Sequence, residues 1–482
     1  MVNAADIPLV VDLDGTLTPT DTLLESLLQL IKHSPASQLH LPAWLLSGRA
    51  GFKEAIATRV TIDAEKLPYN MPLLEYLQAE KSKGRQIILA TAAHHTIAEA
   101  VSRRLGIFDK VLATRPENNL KGSAKLKAIQ ENIGQTFVYA GDCAADLPIW
   151  KQAQAAVLVG VPESVATQVR KDTPIERDFP KQPGGPAVWL RALRVHQWIK
   201  NLLLFVPVLT TFEFADVHKL IHIMLAFMAF SLAASATYIV NDLWDLGNDR
   251  VHPRKRMRPF ASGALSILHG LLVAAAALMA ALVLAATVSQ GFLWMLLTYL
   301  VLTSAYSWVI KEYVLLDVLM LSLLYTIRIL AGSVAIGVAT SSWLLAFSAF
   351  TFLSLALVKR CAELVSLDES GVAATRGRDY RVSDLVVLWP LGVGAALCAV
   401  VVFGLFISAP ETQPRYATPQ LLWLVAIGLV YWMARLWIKT SRGEMHDDPV
   451  VYALKNRGSR LTVLAMVAAV LAAHFLSLEL HP

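Results

Sequence analysis

Cysteine is scarce in this chain of 482 residues, which contains three: Cys143, Cys361 and Cys398. Their spacing is not that of a metal site, and it suggests no disulfide framework. The first residues also lack the basic stretch and apolar run of a secretory signal. We therefore expect the soluble part not to be exported, and we expect the catalytic face to lie in a reducing compartment.

Charged residues are also few, at 17% of the chain, whereas hydrophobic residues make up 55% and the mean hydropathy is +0.50. Such values exclude an ordinary soluble protein and indicate a membrane protein. The net charge of +6 does not predict nucleic-acid binding, because the basic residues cluster at the ends of apolar runs, where they anchor helices. Long apolar runs are absent from roughly the first 185 residues, which have the composition of a soluble domain.

Short apolar strands alternate with helical patterns in this soluble part. The strand candidates are 9–11, 86–89, 111–113, 137–140 and 156–159. This alternation predicts a parallel α/β sheet, in which ligands bind beyond the carboxyl ends of the strands. Polar side chains lie at those ends: Asp12 and Asp14, Thr91, Asp142, and Asp146 one helical turn further.

These residues belong to four motifs that resemble, in order, those of the haloacid dehalogenase (HAD) superfamily of phosphatases. The motifs are DLDGT with Asp12 and Asp14, the hydroxyl of Thr91, LKGSAK with Lys121, and GDCAAD with Asp142 and Asp146. The resemblance implies a Rossmann-like α/β domain over residues 1–172, with a small helical cap at about 18–85. Attack of a carboxylate on a phosphate ester sets anion against anion, so it needs a cation, a lysine and a hydroxyl around the phosphoryl oxygens.

The resemblance also implies a role for each of these residues. Asp12 would be the nucleophile, Asp14 the general acid and base, and Thr91 and Lys121 the phosphate contacts, with Lys125 as a competitor for the lysine role. Mg²⁺ would be held by Asp12, Asp14 through its backbone carbonyl, and Asp142, with Asp146 in support.

A membrane domain is predicted for residues 187–482, after a linker at 173–186 that contains four prolines. Apolar runs at about 201–211, 219–240, 267–288, 291–310, 314–337, 342–358, 386–408, 419–438 and 461–479 predict an all-α domain of about nine transmembrane helices. Nearly all Lys and Arg lie in alternate connections. We therefore expect a bacterial inner-membrane protein whose soluble domain and active sites face the cytoplasm.

The stretch 241–263, NDLWDLGNDRVHPRKRMRPFASG, combines acids and bases at the end of an apolar run. If the helix continues past Asn241, then Asp242, Asp245 and Asp249 lie within roughly 60° on one face. Carboxylates bind Mg²⁺ together with substrate phosphates, and basic side chains neutralise the rest of the anion. The pattern predicts a magnesium diphosphate site. The alternative is a solvated helix end whose acids pair with its own arginines.

This stretch resembles the first motif of the UbiA superfamily of intramembrane prenyltransferases. The second aspartate-rich motif of members that use isoprenyl diphosphates is missing, since the loop after the sixth apolar run is basic, with Arg376, Arg378 and Arg381. With LRVHQWIKN at 193–201, IRILAG at 327–332 and DDP at 447–449, the chain resembles the branch that makes polyprenyl-phosphoryl ribose.

The resemblance implies that polyprenyl phosphate attacks phosphoribosyl pyrophosphate and that magnesium pyrophosphate leaves. Asp242, Asp245 and Asp249 would hold Mg²⁺. The implied or candidate substrate contacts are Asn241, Lys255, Arg256, Arg258, Tyr306, Lys311, Lys359 and Arg360. Three of these, Lys311, Lys359 and Arg360, could equally be membrane anchors. Arg328, inside an apolar helix, is expected to face a cavity or to pair with Asp317.

The two halves together suggest consecutive catalysis, in which the soluble domain removes the 5-phosphate that the membrane domain leaves on the ribose. The product would be a pentose donor for envelope glycans. One alternative is a UbiA-type prenyltransferase acting on an aromatic or quinone precursor, with an accessory phosphatase. The other is a membrane carrier or lipid-binding protein with a regulatory domain. The expected partners are the bilayer, the polyprenyl phosphate and phosphoribosyl pyrophosphate, and a homo-oligomer is possible.

Overall fold

The computed structural model describes residues 7–46, 48–115, 118–180, 184–371, 378–410, 412–445 and 449–477. Arg376 and most of the DDP motif at 447–449 lie outside the described residues. The chain forms two compact units. The first comprises Met1–Val195 and Ser235–Ala276, and the second comprises His196–Ala234 and Ala277–Pro482. The aspartate stretch therefore belongs to the first unit, while the domain boundaries proposed above stay a prediction.

A six-stranded sheet forms the centre of the first unit, with the strand order β3-β2-β1-β4-β5-β6. The strands are β1 (Leu9–Val11), β2 (Ile87–His94), β3 (Lys110–Thr114), β4 (Val138–Gly141), β5 (Ala155–Val159) and β6 (Ile175–Phe179). All neighbouring strands are parallel. This confirms the predicted α/β domain.

Residues of β1 alternate between two hydrophobic cores because successive side chains of a strand point to opposite faces of the sheet. Leu9 and Val11 belong to the core on one face, and Val10 belongs to the core on the other. All three are fully buried, as expected of a central strand in a sheet covered on both faces.

The sixth strand corrects the predicted linker at 173–186. β6 contains Ile175, Glu176, Arg177, Asp178 and Phe179, and its burial alternates only weakly because it is an edge strand. Three charged residues in five conceal the strand pattern, so the prediction of a linker was wrong for these residues.

Helices in the first unit lie between the strands and after them. They are α1 (Thr22–His33), α2 (Leu41–Leu46), α3 (Gly48–Ala57), α4 (Met71–Ser82), α5 (His95–Leu105), α6 (Ser123–Ile133), α7 (Leu147–Trp150), α8 (Glu163–Asp172) and α9 (Pro186–Ala192). The helical segment between β1 and β2 matches the predicted cap. Asp21 caps α1 by accepting hydrogen bonds from the backbone N–H groups of Leu23 and Leu24.

The remaining helices include eight that are long and apolar enough to cross a membrane among the described residues. All the remaining helices, whether or not they are long enough to span, are α10 (Val206–Thr210), α11 (Val217–Trp244), α12 (Leu246–Val251), α13 (Ile267–Val288), α14 (Gln290–Trp308), α15 (Leu316–Ile336), α16 (Ser342–Glu369), α17 (Leu385–Ser408), α18 (Leu422–Ser441), α19 (Pro449–Lys455) and α20 (Arg457–Phe475). The eight candidate spans are α11, α13 to α18, and α20.

The first of the nine predicted runs, at 201–211, does not form a span. A 3₁₀-helix at Val195–Phe205 leads into the five-residue α10, whereas a span needs about 20 residues. In the second unit this 3₁₀-helix packs closely against α15. A Cβ atom added to Gly332 would lie 2.2 Å from the carbonyl oxygen of Leu204, so the glycine permits the contact.

Candidate active sites

A cavity of about 630 Å³ lies at the carboxyl ends of the strands in the first unit. The predicted residues that line it are Asp12, Asp14, Lys121, Asp142 and Asp146, together with Lys125. Thr91 is fully buried within β2, and its hydroxyl accepts a hydrogen bond from the N–H of Ala93. The structure thus brings the predicted acids together, and the role of Thr91 stays a prediction.

The lysine beside the predicted nucleophile is Lys125. Its Nζ lies 2.7 Å from Asp12 Oδ2 and 3.7 Å from Asp146 Oδ1. Lys121 lines the same cavity but is exposed and precedes α6, whereas Lys125 is buried on the first turn of that helix, on the same face as Ile129. The geometry therefore favours Lys125 as the lysine that contacts Asp12, and the phosphate-contacting role of Lys121 stays a prediction.

Tyr139, which the sequence prediction missed, connects these groups. Its hydroxyl accepts a hydrogen bond from Lys125 at 3.0 Å and donates one to Asp146 Oδ1 at 2.8 Å. Asp146 Oδ2 accepts from the N–H of Asp142 at 3.3 Å. Asp146 is therefore tied to protein donors and fits the predicted supporting role. A tyrosine inside a hydrophobic strand gives no sequence signal for such a contact.

Burial raises the pKa values of the carboxylates in the cavity, and neighbouring carboxylates add to this effect. Burial raises the pKa of Asp14 to about 7, and Asp21 adds to this. Burial also raises the pKa of Asp142 to about 7, followed by repulsion from Asp146. Burial raises the pKa of Asp12 although Lys125 opposes it, and Asp12 raises the pKa of Lys125 although burial opposes it.

The donor set at this site fits a hard divalent cation. Ligand atoms of Asp142, Cys143 and Asp146 lie within 4.8 Å of one another. A Cβ atom on Gly15 would lie 2.2 Å from Asp142 Oδ2, so the DLDGT loop approaches this carboxylate because it carries a glycine. Neighbouring carboxylate oxygens are the ligands that Mg²⁺ and Ca²⁺ prefer, and a cation would favour their ionised forms.

The aspartate stretch forms a second cluster in the first unit. Asp242 lies at the end of α11 and Asp249 in α12, and their exposed fractions are 3% and 1%. Arg258 Nη1 lies 3.1 Å from Asp242 Oδ1 and 2.6 Å from Asp249 Oδ2. Arg194 also donates to Asp242; its position in the LRVHQWIKN motif is the signal that could have indicated it.

The predicted convergence of Asp245 with Asp242 and Asp249 stays a prediction. α11 ends at Trp244 and α12 begins at Leu246, and among the described residues these three acids form no set whose oxygens all lie within 4.8 Å. Lys255 Nζ lies 4.0 Å from Asp249. Asn241 is half-buried, and Arg256 is exposed.

The alternative interpretation, a solvated helix end, also predicts that these acids pair with a nearby arginine. The burial of Asp242 and Asp249 contradicts the solvated part of that alternative, because a surface acid needs no such shielding. Asp242 and Asp249 thus form one arginine-bridged pair, and the metal-binding role of the three acids stays a prediction.

A buried ionic cluster in the second unit contains Arg360. Its guanidinium donates to Asp317 and Glu363, and the hydroxyl of Tyr380 donates to Asp317 at 2.6 Å. Arg360 and Asp317 are fully buried. The terminal nitrogens of Arg360 contact protein carboxylates, and the substrate-contact role of Arg360 stays a prediction. Tyr306, Lys311 and Lys359 are half-buried, and their roles stay predictions.

Arg328 does not pair with Asp317, which corrects one expectation. Its guanidinium donates to Asn201 Oδ1 at 3.0 Å and to the hydroxyl of Tyr299 at 2.8 Å, and to the carbonyl of Leu324. Asn201 belongs to the LRVHQWIKN motif. This neutral network satisfies a buried cation within α15 and holds the 3₁₀-helix in place.

Comparison with known proteins supports both halves. The UbiA prenyltransferase family model matches residues 203–456, and the haloacid dehalogenase-like hydrolase model matches residues 9–151. The uncharacterized protein y4nM of Sinorhizobium fredii is 38% identical over 460 residues, which are 94% of this chain and 88% of that protein.

Two further relatives match the membrane half. The nodulation protein NoeC of Azorhizobium caulinodans is 35% identical over 278 residues, 58% of this chain and 90% of that protein. The decaprenyl-phosphate phosphoribosyltransferase of Mycolicibacterium smegmatis is 30% identical over 299 residues, 60% of this chain and 92% of that protein. The chain therefore belongs to the UbiA prenyltransferase family and carries a haloacid dehalogenase-like hydrolase domain within the same polypeptide.

Proposed function

We propose that this protein is a bifunctional enzyme of the bacterial inner membrane, with both active sites on the cytoplasmic side. The membrane half transfers 5-phosphoribose from phosphoribosyl pyrophosphate to polyprenyl phosphate. The HAD-type site then removes the 5-phosphate, and the polyprenyl-phosphoryl ribose serves as a pentose donor for envelope glycans. The observation that carries this proposal is the likeness to a decaprenyl-phosphate phosphoribosyltransferase over 92% of that enzyme's length, on a chain with a phosphatase-type cavity.

In the transfer step, an oxygen of the lipid phosphate forms a bond to the anomeric carbon, and the bond from that carbon to pyrophosphate breaks. Asp242 and Asp249 would hold Mg²⁺, which supplies positive charge to the departing pyrophosphate. Arg258 already lies on both acids. It would therefore pass from an acid to a phosphate oxygen when substrate binds, and Lys255 and Arg256 add positive charge nearby.

In the hydrolytic step, a carboxylate oxygen of Asp12 attacks phosphorus, and the bond to the ribose 5-oxygen breaks. Asp14 donates a proton to that oxygen and then takes one from the water that hydrolyses the aspartyl phosphate. Lys125 stabilises the phosphoryl oxygens, and Mg²⁺ held by Asp12, Asp14 and Asp142 would neutralise charge on the phosphate.

The transferase is tested with ribose-labelled phosphoribosyl pyrophosphate and polyprenyl phosphate in vesicles that contain the full-length protein. We expect label in the lipid fraction with the wild type. An Asp249→Asn variant should lose this activity by on the order of 10²-fold or more, because the charge at the departing pyrophosphate is lost. The variant should keep its hydrolysis of p-nitrophenyl phosphate, since Asp249 does not line the HAD cavity. No ribose label in the lipid, together with transfer from a separately labelled prenyl diphosphate to an aromatic acceptor, would contradict the proposal.

A further inference from the structure

An ion pair outside both candidate sites joins the cap helix α1 to the aspartate stretch. Arg250 in α12 donates to Glu25 Oε2 at 2.9 Å from Nη1, and to Glu25 Oε1 at 2.6 Å from Nη2. The side chains of Arg250 and Glu25 are 8% and 3% exposed. A bidentate pair shielded from water is directional and costly to break, so it fixes α1 and α12 in one relative orientation.

The remaining contacts of Arg250 strengthen this attachment. Nε donates to the carbonyl of Ala261 at 3.2 Å, and Nη1 also contacts the carbonyl of Lys66 at 3.3 Å. Asp249, the preceding residue, contacts Arg258. Two successive residues of α12 therefore have different partners. Asp249 belongs to the arginine-bridged pair of acids, and Arg250 contacts the phosphatase cap.

The chain after α12 then forms part of the phosphatase cavity. A Cβ atom on Gly263 would lie 2.4 Å from Pro19 Cγ, so this segment packs directly against the loop that follows β1. Ser266 and Ile267 line the cavity that contains Asp12. Ile267 is the first residue of α13, a candidate membrane span. One wall of the cavity is therefore the beginning of a membrane helix.

The cap side of the cavity carries apolar side chains beside the polar Asp21, Ser26 and Lys53. Leu23, Phe52 and Ile56 line it, opposite the acids at the strand ends. A lipid-linked phosphate has an apolar tail that can pass these apolar side chains and continue toward the bilayer, whereas a soluble phosphate ester has no group that reaches the bilayer.

From these contacts we infer that Glu25 and Arg250 are positioning residues that make the phosphatase selective for phosphomonoesters carried by membrane lipids. The pair holds the cavity against the start of α13, so a phosphate head group reaches Asp12 while its tail stays in the bilayer. The inference rests on the proposed function and deepens it, since it names the feature of the HAD domain that recognises a lipid-borne substrate.

The test compares two substrates on full-length protein in vesicles. One is p-nitrophenyl phosphate in solution, and the other is synthetic polyprenyl-phosphoryl 5-phosphoribose in the membrane. For Glu25→Gln and Arg250→Gln, we expect kcat/KM for the lipid to fall by about 10²-fold, mainly through KM, because the cavity is no longer aligned with the start of α13. Hydrolysis of p-nitrophenyl phosphate should change by less than about twofold, since that substrate makes no remote contacts.

A double-mutant cycle shows whether the two substitutions act by removing the same ion pair or by causing two separate structural defects. The Glu25→Gln/Arg250→Gln double variant should lose no more lipid activity than either single variant, because both remove the same ion pair. Glu75, exposed on α4, provides the matched control: Glu75→Gln should leave both substrates unaffected.

Equal losses on both substrates, additive losses in the double variant, or no loss would overturn the inference and leave the proposed function standing. A wild-type protein that hydrolyses p-nitrophenyl phosphate but leaves the lipid intact would instead overturn the proposed function, and the inference with it. Preserved hydrolysis of p-nitrophenyl phosphate also shows that each variant is folded.

Discussion

At the scale of single residues, two lysines four positions apart compete for one role in the phosphatase. Lys121 follows the family pattern in the sequence, but Lys125 lies on the buried face of α6 and contacts Asp12. A cation that must meet a buried carboxylate has to come from the inward face of its helix. Which face of α6 a lysine shares with the buried Ile129 therefore predicts its contact with Asp12 better than its place in the motif does.

Exchange of Lys125 for methionine should lower kcat for p-nitrophenyl phosphate on the order of 10²–10³-fold, because one donor to the phosphoryl oxygens is lost. Lys121→Met should change kcat only slightly. Lys127→Met, at a side chain that is 77% exposed on the same helix, is the control. Steady-state phosphatase assays of the full-length protein check this, and a larger loss from Lys121→Met would reverse the assignment.

Sequence patterns predicted that Asp12, Asp14, Asp142 and Asp146 lie together, and these acids line one cavity, since the strands that precede them end at the same edge of the sheet. The patterns did not locate Tyr139, Arg194 or the Glu25–Arg250 pair. These contacts depend on how separate segments fold together. Glu25 and Arg250, for example, are 225 positions apart, and no local pattern links them.

At the scale of elements, the contact between α15 and the 3₁₀-helix at Val195–Phe205 depends on a glycine in the IRILAG motif. Gly332 leaves room for the backbone of Leu204. The sequence predicted the long helices correctly because their apolar runs are self-contained. It failed at 201–211, where an apolar run containing Pro207 forms shorter elements that pack within the protein.

Replacement of Gly332 by alanine should destabilise the second unit by about 1–3 kcal/mol, because the added methyl group must displace backbone. Gly394→Ala in α17 is the matched control, since a Cβ atom there meets no atom within 4 Å. It should be neutral or stabilising by up to about 1 kcal/mol. The measurement is the temperature at which half of the purified protein stays monodisperse after heating. Equal effects of the two changes would contradict this packing.

The edge strand β6 is attached to the rest of the sheet domain by an ionic contact. Arg85, whose side chain is 1% exposed, lies 2.9 Å from Glu80 and donates to both oxygens of Glu176 in β6. Burial alone would raise the pKa of Glu176, but hydrogen bonds from Arg85 and Tyr76 lower it below its ordinary value of 4.5. The pair therefore stabilises the fold above that pH, and the stabilisation is lost as the pH falls through the lowered pKa.

Acid should therefore inactivate the phosphatase as the pH falls below the ordinary pKa of glutamate, 4.5. Glu176→Gln should lower stability at neutral pH by about 1.5–3 kcal/mol, because a charged hydrogen bond is lost, and it should flatten the pH dependence. Half-lives of p-nitrophenyl phosphatase activity, measured after incubation at each pH and assayed at pH 7, check this. An unchanged pH profile in the variant would exclude Glu176 as the titrating group.

At the scale of the whole molecule, the chain joins a site suited to phosphomonoester hydrolysis with a family of membrane transferases. The first unit contains both the HAD cavity and the aspartate stretch. Covalent linkage keeps the local concentration of an intermediate high near the second site. The proposed sequence of reactions also accounts for both chemistries, since the first reaction creates the phosphomonoester that the second consumes.

The most direct test of consecutive catalysis is a mass spectrum of the lipid formed from phosphoribosyl pyrophosphate and polyprenyl phosphate. The wild-type protein should yield polyprenyl-phosphoryl ribose, whereas Asp12→Asn, which lacks the nucleophile, should accumulate the lipid that still carries the 5-phosphate. Identical lipid products from the two proteins would contradict the account.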